Sequence, residues 1–208
     1  MRTPIIDLLR PLVFGVSRLV FRLELCGTQH IPPHGPLVVV PNHQTYADPV
    51  LVTIPFRRRV YYMAWKRLFR VPVLGRAIRL LYAFPVDIDA RDSRAVREAR
   101  RLLVDEEAAV MIFPEGGRSR DGTLGRFHMG AFRLAASLGV PVLPVTIAGA
   151  HEAWPPGQTL PRRGHVTITY HPPVSVDAAS TPRVAATELA ERVRAAIGSA
   201  LTPRSGVV

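Results

Sequence analysis

The sequence predicts a single α/β domain in which helices flank a mainly parallel central sheet. Short apolar runs rich in β-branched residues alternate with longer segments of helical periodicity, and the runs have no polar face. Strands that are apolar on both faces are typical of parallel sheets covered by helices on both sides. The chain has 208 residues, 48% of them hydrophobic, which suffices for one domain with a substantial core.

The first segment, residues 1–22, is expected to precede this domain as an amphipathic helix on a membrane surface. Arg10, Arg18 and Arg22 interrupt its apolar residues, so it lacks the run of about 20 apolar residues that crosses a bilayer. No small-residue cleavage site follows an apolar run, which argues against a signal peptide. Phenylalanine, leucine and arginine together suit an anionic headgroup layer, although a helix packed on the core has a similar pattern.

The remaining residues, 23–208, form the predicted domain. Apolar runs predict strands at residues 23–26, 37–40, 60–64, 84–86, 108–113, 142–147 and 166–170. Helical periodicity or capping residues predict helices that begin near Asp48, span 92–106 and 125–138, and begin again at Thr181. Proline and glycine mark the loops between these elements.

The net charge of +11 is carried almost entirely by arginine, since Lys66 is the only lysine. Such a surface suits nucleic acid, anionic lipid or a phosphate-bearing substrate. No helix-turn-helix, metal finger or aromatic-interleaved basic motif supports nucleic acid as a partner. The basic clusters at 57–59 and 66–67 suit anionic lipid or an acidic carrier protein, and a solvated edge explains them equally well.

Cysteine and histidine usage predicts neither a disulfide nor a metal site. Cys26 is the single cysteine, so no intrachain disulfide forms and a reducing compartment fits. The scattered histidines are expected to be loop or surface residues rather than ligands: His34, His151, His165 and His171.

One loop that carries candidate catalytic residues, 42–48, directly follows a predicted buried strand. An imidazole works best as a general base when a carboxylate fixes its other ring nitrogen. His43 and Asp48 are five residues apart, a spacing that a continuous helix would point in different directions. A loop closed by a helix start at Asp48 would fold the carboxylate back onto the ring. Alternatively, Asp48 is a plain helix cap and His43 a polar loop residue.

A second such loop, residues 113–120, also follows a predicted buried strand. Gly116 and Gly117 allow backbone amides to turn toward an anion, and Arg118 and Arg120 add charge-assisted contacts. The composition predicts an anion-binding loop, and a glycine-rich turn with exposed arginines is the alternative.

The order of these blocks resembles the glycerolipid acyltransferase family, in particular the 1-acyl-glycerol-3-phosphate acyltransferases. Asn42, His43 and Asp48 match the first block of that family, and residues 113–119 match its Phe-Pro-Glu-Gly-Thr-Arg-Ser block. Residues 140–145 match its proline-flanked apolar strand. The resemblance covers about residues 23–170.

Three departures from the family pattern concern the acceptor. Gly117 stands where the family has threonine, and His128 and Met129 replace lysines. Ile88 occupies the place of an arginine that helps to hold the acceptor's phosphate in the family, and Arg91 is a nearby substitute.

The resemblance implies that His43 is the base and that Asp48 orients it, while other residues bind the acceptor: Asn42, Glu115, Gly116, Gly117, Arg118, Ser119 and Arg91. It implies acyl transfer from acyl-CoA or acyl-carrier protein to a lysophospholipid, with no cofactor and no metal. The expected location is the cytoplasmic face of the membrane, as a peripheral or monotopic protein. Alternatives are a non-phosphate acceptor, such as a lyso-aminolipid or glycolipid, and an inactive lipid-binding protein.

Overall fold

A computed structural model describes residues 4–87, 93–177 and 179–201. Within these ranges the strands are β1 Glu24–Cys26, β2 Leu37–Pro41, β3 Val60–Trp65, β4 Ala83–Val86, β5 Ala109–Met111, β6 Val142–Ala148 and β7 Thr167–Tyr170. The α-helices are α1 Pro4–Phe21, α2 Asp48–Thr53, α3 Pro72–Leu80, α4 Ser93–Val104, α5 Gly130–Leu138, α6 Ala150–Ala153 and α7 Pro182–Leu201. Two short 3-10 helices span Thr28–His30 and Lys66–Arg70.

The strands form one sheet in the order β1-β7-β6-β2-β5-β3-β4. Every neighbouring pair is parallel except β6 and β7, which run antiparallel. This confirms the predicted α/β fold with a mainly parallel sheet, and the helices between parallel strands are the crossovers that such pairing requires.

Helices cover both faces of the sheet because alternate strand residues point in opposite directions. On one face, Val38 and Val110 pack with residues of α4, α5 and α7. On the other face, Val39 and Met111 pack with residues of α1 and α2, and Ile78 of α3 packs against the same cluster. The central strand β2 is fully buried between these two layers, as its unbroken apolar sequence predicts.

The carboxyl ends of the parallel strands gather at one edge of the sheet. Pro41, the last residue of β2, pairs with Val145, and β6 continues past it to Ala148. Tyr62 pairs with Met111, the last residue of β5, and β3 continues to Trp65. Ligands of open α/β sheets bind at this edge, so the loops that leave it are the place to look for a site.

The structure differs from the sequence prediction in three helices, the shortest of which, α6, was not predicted. The predicted helix over 125–138 begins only at Gly130, because amides in the preceding loop are used elsewhere: Gly125 N–H donates to Glu115 and His128 N–H donates to the Pro114 carbonyl. Helix α3 was not predicted, because its apolar residues lie mainly on the exposed face instead of marking a buried one.

Helix α1 forms over most of the segment predicted to be helical, and its inner side packs on the core through Ser17 and Phe21. Leu12, Val16 and Leu19 of the same helix are exposed. Among the described residues, no helix combines the length and apolarity needed to span a bilayer. The division into a membrane-associating helix over 1–22 and a domain over 23–208 stays a prediction.

We predict that Gly149→Ala destabilises the fold more than Gly139→Ala does. Both glycines have positive φ, +77° and +65°, so alanine is strained at either position by about 1–2 kcal/mol. At Gly149 a Cβ atom would also lie 2.0 Å from the His165 carbonyl oxygen, whereas at Gly139 it meets no atom within 4 Å. Urea unfolding should show an extra loss of about 2 kcal/mol or more for Gly149→Ala. Equal losses would contradict the close approach of residues 149 and 165.

Candidate active site

The loop that follows β2 is organised around the buried carboxylate of Asp48, which is 0% exposed. Its Oδ2 atom accepts hydrogen bonds from the Gln44 and Thr45 backbone amides at 2.6 and 2.8 Å and from His43 Nδ1 at 2.8 Å. Its Oδ1 atom accepts the Thr45 hydroxyl at 2.5 Å. A buried carboxylate needs such donors to offset its lost hydration. The loop therefore wraps back on the first residue of α2.

The contact with Asp48 fixes the tautomer of His43. A carboxylate only accepts hydrogen bonds, so Nδ1 carries the proton and Nε2 holds the lone pair of the neutral ring. The Phe113 ring stacks on the imidazole with centroids 3.9 Å apart and an angle of 25° between the planes. The His43 side chain is 18% exposed. These contacts give the imidazole one orientation and leave it within reach of a ligand.

Two further side chains of this loop bind the loop to neighbouring elements. The Asn42 amide accepts from the Ile147 N–H at 2.7 Å and donates to the Ile147 carbonyl at 2.9 Å, which completes the hydrogen bonding of β6 beyond the end of β2. The Gln44 side chain accepts from the Ala150 and His151 amides, both at 3.1 Å. Asn42 and Gln44 are buried. The loop is consequently held by the side chains on either side of His43.

The loop that follows β5 is joined to His43 through the backbone of that residue. Glu115 Oε1 accepts the His43 amide at 2.8 Å, and the His43 carbonyl accepts the Ser119 amide at 2.8 Å. The other Glu115 oxygen accepts the Gly125 amide at 2.8 Å. Burial raises the pKa of the Glu115 carboxyl, against the opposing effect of the two amide donors. Both polar backbone groups of His43 are thus used to fix residues 115–119 beside it.

Arg118 lies between these two anchors, and its guanidinium stacks on the Tyr46 ring at 3.5 Å from the centroid. Tyr46 is 58% exposed and makes an edge contact with Trp154, with centroids 6.5 Å apart. A guanidinium stacked by its flat face keeps its N–H donors in the ring plane available for a carboxylate or phosphate. The structure thus brings an arginine in a defined orientation into the loop that abuts His43.

The other residues predicted to bind the acceptor differ in what they contact. The side chains of Asn42 and Glu115 bind backbone groups as described, and the Ser119 hydroxyl is hydrogen bonded to Asp121 and to the Thr123 carbonyl. Gly116 has a φ of +69°, and a Cβ atom there would meet the His128 ring at 3.1 Å. A Cβ atom at Gly117 would meet nothing within 4 Å, so the loop is open there. Arg91 and Ile88 lie outside the described residues.

Sequence reasoning did not identify three residues that shape the site: Gln44, Tyr46 and Phe113. Phe113 belongs to the matched block 113–119, and Gln44 and Tyr46 lie within the loop 42–48. Their partners lie far along the chain, so no local pattern reveals the contacts. A fourth, Arg194 of α7, donates to the Gly125 carbonyl at 2.5 Å and lies over the Phe127 ring.

This arrangement supports proton transfer beside an anion site. Nε2 of His43 has the lone pair of a general base, and the buried charge of Asp48 would stabilise the imidazolium. Arg118 offers a positive charge in the adjoining loop. Among the described residues, no three His, Cys, Asp or Glu side chains lie together so as to hold a metal ion.

Comparisons with known proteins cover the part of the chain that holds these two loops. The acyltransferase family model matches residues 22–148, a range that includes both loops. The chloroplastic 1-acyl-sn-glycerol-3-phosphate acyltransferase BAT2 of Brassica napus is 32% identical over 157 residues, which covers 74% of this chain and 45% of that protein. The human 1-acyl-sn-glycerol-3-phosphate acyltransferase alpha is 30% identical over 176 residues, which covers 83% of this chain and 61% of that protein. The chain thus spans about half the length of these relatives.

A solved structure shows the same fold. The crystal structure of the 1-acyl-sn-glycerophosphate acyltransferase PlsC from Thermotoga maritima superimposes with a TM-score of 0.73 at 29% identity, covering 88% of this chain and 74% of that one. The family resemblance inferred from the sequence blocks is confirmed by these matches. The chain belongs to the acyltransferase family.

Proposed function

We propose that this chain transfers a fatty acyl group from an acyl thioester to the free hydroxyl of 1-acyl-glycerol-3-phosphate, giving phosphatidic acid. The observation that supports this most directly is the contact of 2.8 Å between His43 Nδ1 and buried Asp48, beside a loop that carries Arg118. Relatives named 1-acyl-sn-glycerol-3-phosphate acyltransferases support the choice of acceptor.

In this proposal His43 is the general base. Its Nε2 atom takes the proton of the acceptor hydroxyl as the hydroxyl oxygen forms a bond to the thioester carbonyl carbon. The carbon–sulfur bond then breaks, and the proton passes from the imidazolium to the leaving thiolate, so that the products are an ester and a free thiol. Asp48 keeps the proton on Nδ1 and stabilises the imidazolium, which is worth more in its buried surroundings than in water.

Arg118 is assigned to the phosphate of the acceptor. A planar guanidinium pairs well with two phosphate oxygens, and Tyr46 supports it from one side. We assign the side chains of Asn42, Glu115 and Ser119 to holding the site in place. Asn42 binds β6, Glu115 joins the two loops, and the Ser119 hydroxyl binds the Thr123 carbonyl within its own loop. Gly116 and Gly117 allow the acceptor to approach the backbone of the loop.

Membrane association through α1 is part of the proposal. Leu12, Val16 and Leu19 lie at helical spacing and are exposed, while Arg18 and Arg22 are also exposed on the same segment. An exposed apolar stripe with neighbouring arginines suits the headgroup layer of an anionic leaflet. We place the protein at the cytoplasmic face, as a peripheral or monotopic protein that meets its acceptor in the bilayer, with acyl-CoA or acyl-carrier protein as donor.

The first test is thiol release from long-chain acyl-CoA with and without lysophosphatidic acid. Release that requires the acceptor and yields phosphatidic acid is expected. If the chain is silent with that acceptor, with either acyl-CoA or acyl-carrier protein as donor, the phosphate acceptor is wrong. A lyso-aminolipid or glycolipid acceptor then becomes the leading candidate, because His128 and Met129 stand in place of lysines.

We predict that His43→Ala and Asp48→Asn both lower kcat, but for different reasons. Loss of the base should reduce kcat by about 10²–10⁴-fold, and loss of its hydrogen bond to buried Asp48 should lower the free energy of unfolding by about 1–3 kcal/mol. Asp48→Asn removes the charged acceptor of several buried donors, so it should also lower that free energy by about 2 kcal/mol or more. The control is His165→Ala, at a histidine far from this loop in sequence. Full activity of His43→Ala would rule out the proposed base.

We predict that the Tyr46 ring contributes to acceptor binding through Arg118. Arg118→Ala should raise KM for lysophosphatidic acid about tenfold or more and leave KM for the thioester unchanged. Tyr46→Leu removes a cation–π contact worth about 0.5–1 kcal/mol at an exposed site, so it should raise the same KM about 2–5-fold. Tyr46→Phe keeps the ring and should behave as the wild type. Arg100→Ala, at an exposed arginine of α4, is the control.

We predict that Leu12→Ser combined with Leu19→Ser weakens binding to vesicles that contain anionic phospholipid. Both side chains are exposed in the protein, so the change should leave the fold intact while it removes apolar area that would enter the headgroup layer. Sedimentation with vesicles should fall several-fold, whereas Val184→Ser on α7 should have no effect. Unchanged sedimentation would assign α1 to packing alone.

A further inference from the structure

A second exposed apolar surface lies on α3. Val73, Ala77 and Leu80 recur at helical spacing along one side of this helix, and Val73 and Leu80 are 81% and 63% exposed. Val71 and Leu74 beside them are also exposed. We call these residues the α3 surface: Val71, Val73, Leu74, Ala77 and Leu80. Contiguous exposed apolar side chains of this kind mark an interaction surface rather than chance exposure.

The charge around the α3 surface is mainly positive. Residues 66–80 contain five Arg or Lys and no Asp or Glu, and one of the five, Lys66, pairs with Asp87. Arg67, Arg70 and Arg76 are exposed close to the apolar residues. Apolar side chains rimmed by arginines match a bilayer with an anionic surface, where the former enter the acyl boundary and the latter meet phosphates. An acidic protein partner would satisfy the arginines but not the apolar stripe.

The position of α3 relates it to the candidate active site. The 3-10 helix that leads into α3 begins directly after Trp65, the end of β3, where that strand has passed the end of β5. It therefore leaves the same edge of the sheet as the loops that carry His43 and Arg118. The packing of Phe69 and Ile78 puts α3 on the face of the sheet that also carries α1 and α2.

The C-terminal end of helix α1 lies at the same side of the sheet as the His43 and Arg118 loops, but at the β1 end of the strand order. Glu24 of β1 pairs with Thr167 of β7, which pairs with Ala148 at the end of β6. The Phe21 carbonyl at the end of α1 accepts the Val166 amide just before β7. Helices α1 and α3 thus lie on one face of the sheet, α1 at the β1 end and α3 at the β4 end. The side of the sheet that carries His43 and Arg118, here called the catalytic edge, lies between their points of attachment.

We propose that the α3 surface is a second membrane-docking element, which binds an anionic bilayer and, together with α1, holds the catalytic edge against it. One contact element would leave the protein free to rotate about it, whereas two separated elements fix the orientation. An acceptor that keeps its acyl chain in the bilayer then presents its hydroxyl and phosphate to His43 and Arg118. This last step rests on the proposed function, while the binding to lipid does not.

The test measures sedimentation of the full chain with phosphatidylglycerol-containing vesicles and with pure phosphatidylcholine vesicles. Val73→Ser combined with Leu80→Ser should lower the partition coefficient on anionic vesicles about tenfold or more. Arg70→Gln combined with Arg76→Gln should lower it by a similar factor at low salt and less at high salt. The matched control is Val96→Ser combined with Val104→Ser, two exposed valines of α4, which packs on the opposite face of the sheet.

Activity with two forms of acceptor separates docking from catalysis. The Val73→Ser, Leu80→Ser variant should lose activity on lysophosphatidic acid held in anionic vesicles and keep wild-type kcat/KM on a short-chain, monomeric lysophosphatidic acid. Vesicle binding that depends on α3 supports the docking role even if no acyl transfer is found. If acyl transfer depends on His43 but vesicle binding ignores the α3 variants, the docking role is wrong and the proposed function stands.

Two other occupants of the α3 surface would also overturn the proposal. If the serine variant changes the oligomeric state in sedimentation velocity and leaves vesicle binding unchanged, the surface joins copies of this chain. If that variant and the Arg70→Gln, Arg76→Gln variant lose affinity for acyl-carrier protein but not for vesicles, the surface binds the donor protein instead.

Discussion

The candidate site depends on one buried charge, the carboxylate of Asp48. Burial without compensation would cost several kcal/mol, so the surrounding chain must supply donors. It does so with two consecutive backbone amides, a hydroxyl and the His43 ring. The same hydrogen bonds that make the burial tolerable impose the path of the loop and the tautomer of the imidazole. Local folding and chemical competence of this loop therefore have a common cause.

The rest of the site is attached to that loop by a few hydrogen bonds. The His43 amide donates to the Glu115 carboxylate, the His43 carbonyl accepts from the Ser119 amide, and the Asn42 side chain joins the loop to β6. Two loops from different strands thus behave as one unit at the carboxyl edge of the sheet. Arg118 is positioned by this unit, and its guanidinium is oriented by the contact with the Tyr46 ring. A preorganised site of this kind spends little free energy on reorganisation during reaction.

Much of the fold and part of the site follow from the sequence. The strands were predictable because an unbroken apolar, β-branched run such as that of β2 is typical of a buried strand. The loops that begin at Asn42 and Phe113 come directly after two such strands in the chain. The helix predicted from residue 125 was wrong at its start, because Gly125 and His128 give their amides to Glu115 and Pro114. Helix α3 was not predicted, and in the structure its apolar residues lie mainly on the exposed side instead of facing the core. The Tyr46–Arg118 contact joins residues far apart in the chain, and only the folded structure reveals such a pair.

The distribution of charge connects the site to the surfaces around it. In the proposed function, a phosphorylated acceptor brings negative charge into a region that holds the buried Asp48 carboxylate and the half-buried Glu115, whose pKa is raised by burial. The chain has no lysine at 128 or 129, so in the proposed function Arg118 and the field of the basic segment 66–80 supply the attraction. That segment begins at the end of β3, on the same side of the sheet as the two loops, and it includes α3. Under that proposal its arginines serve acceptor capture at an anionic surface, because charge needed only for solubility could be spread evenly over the molecule.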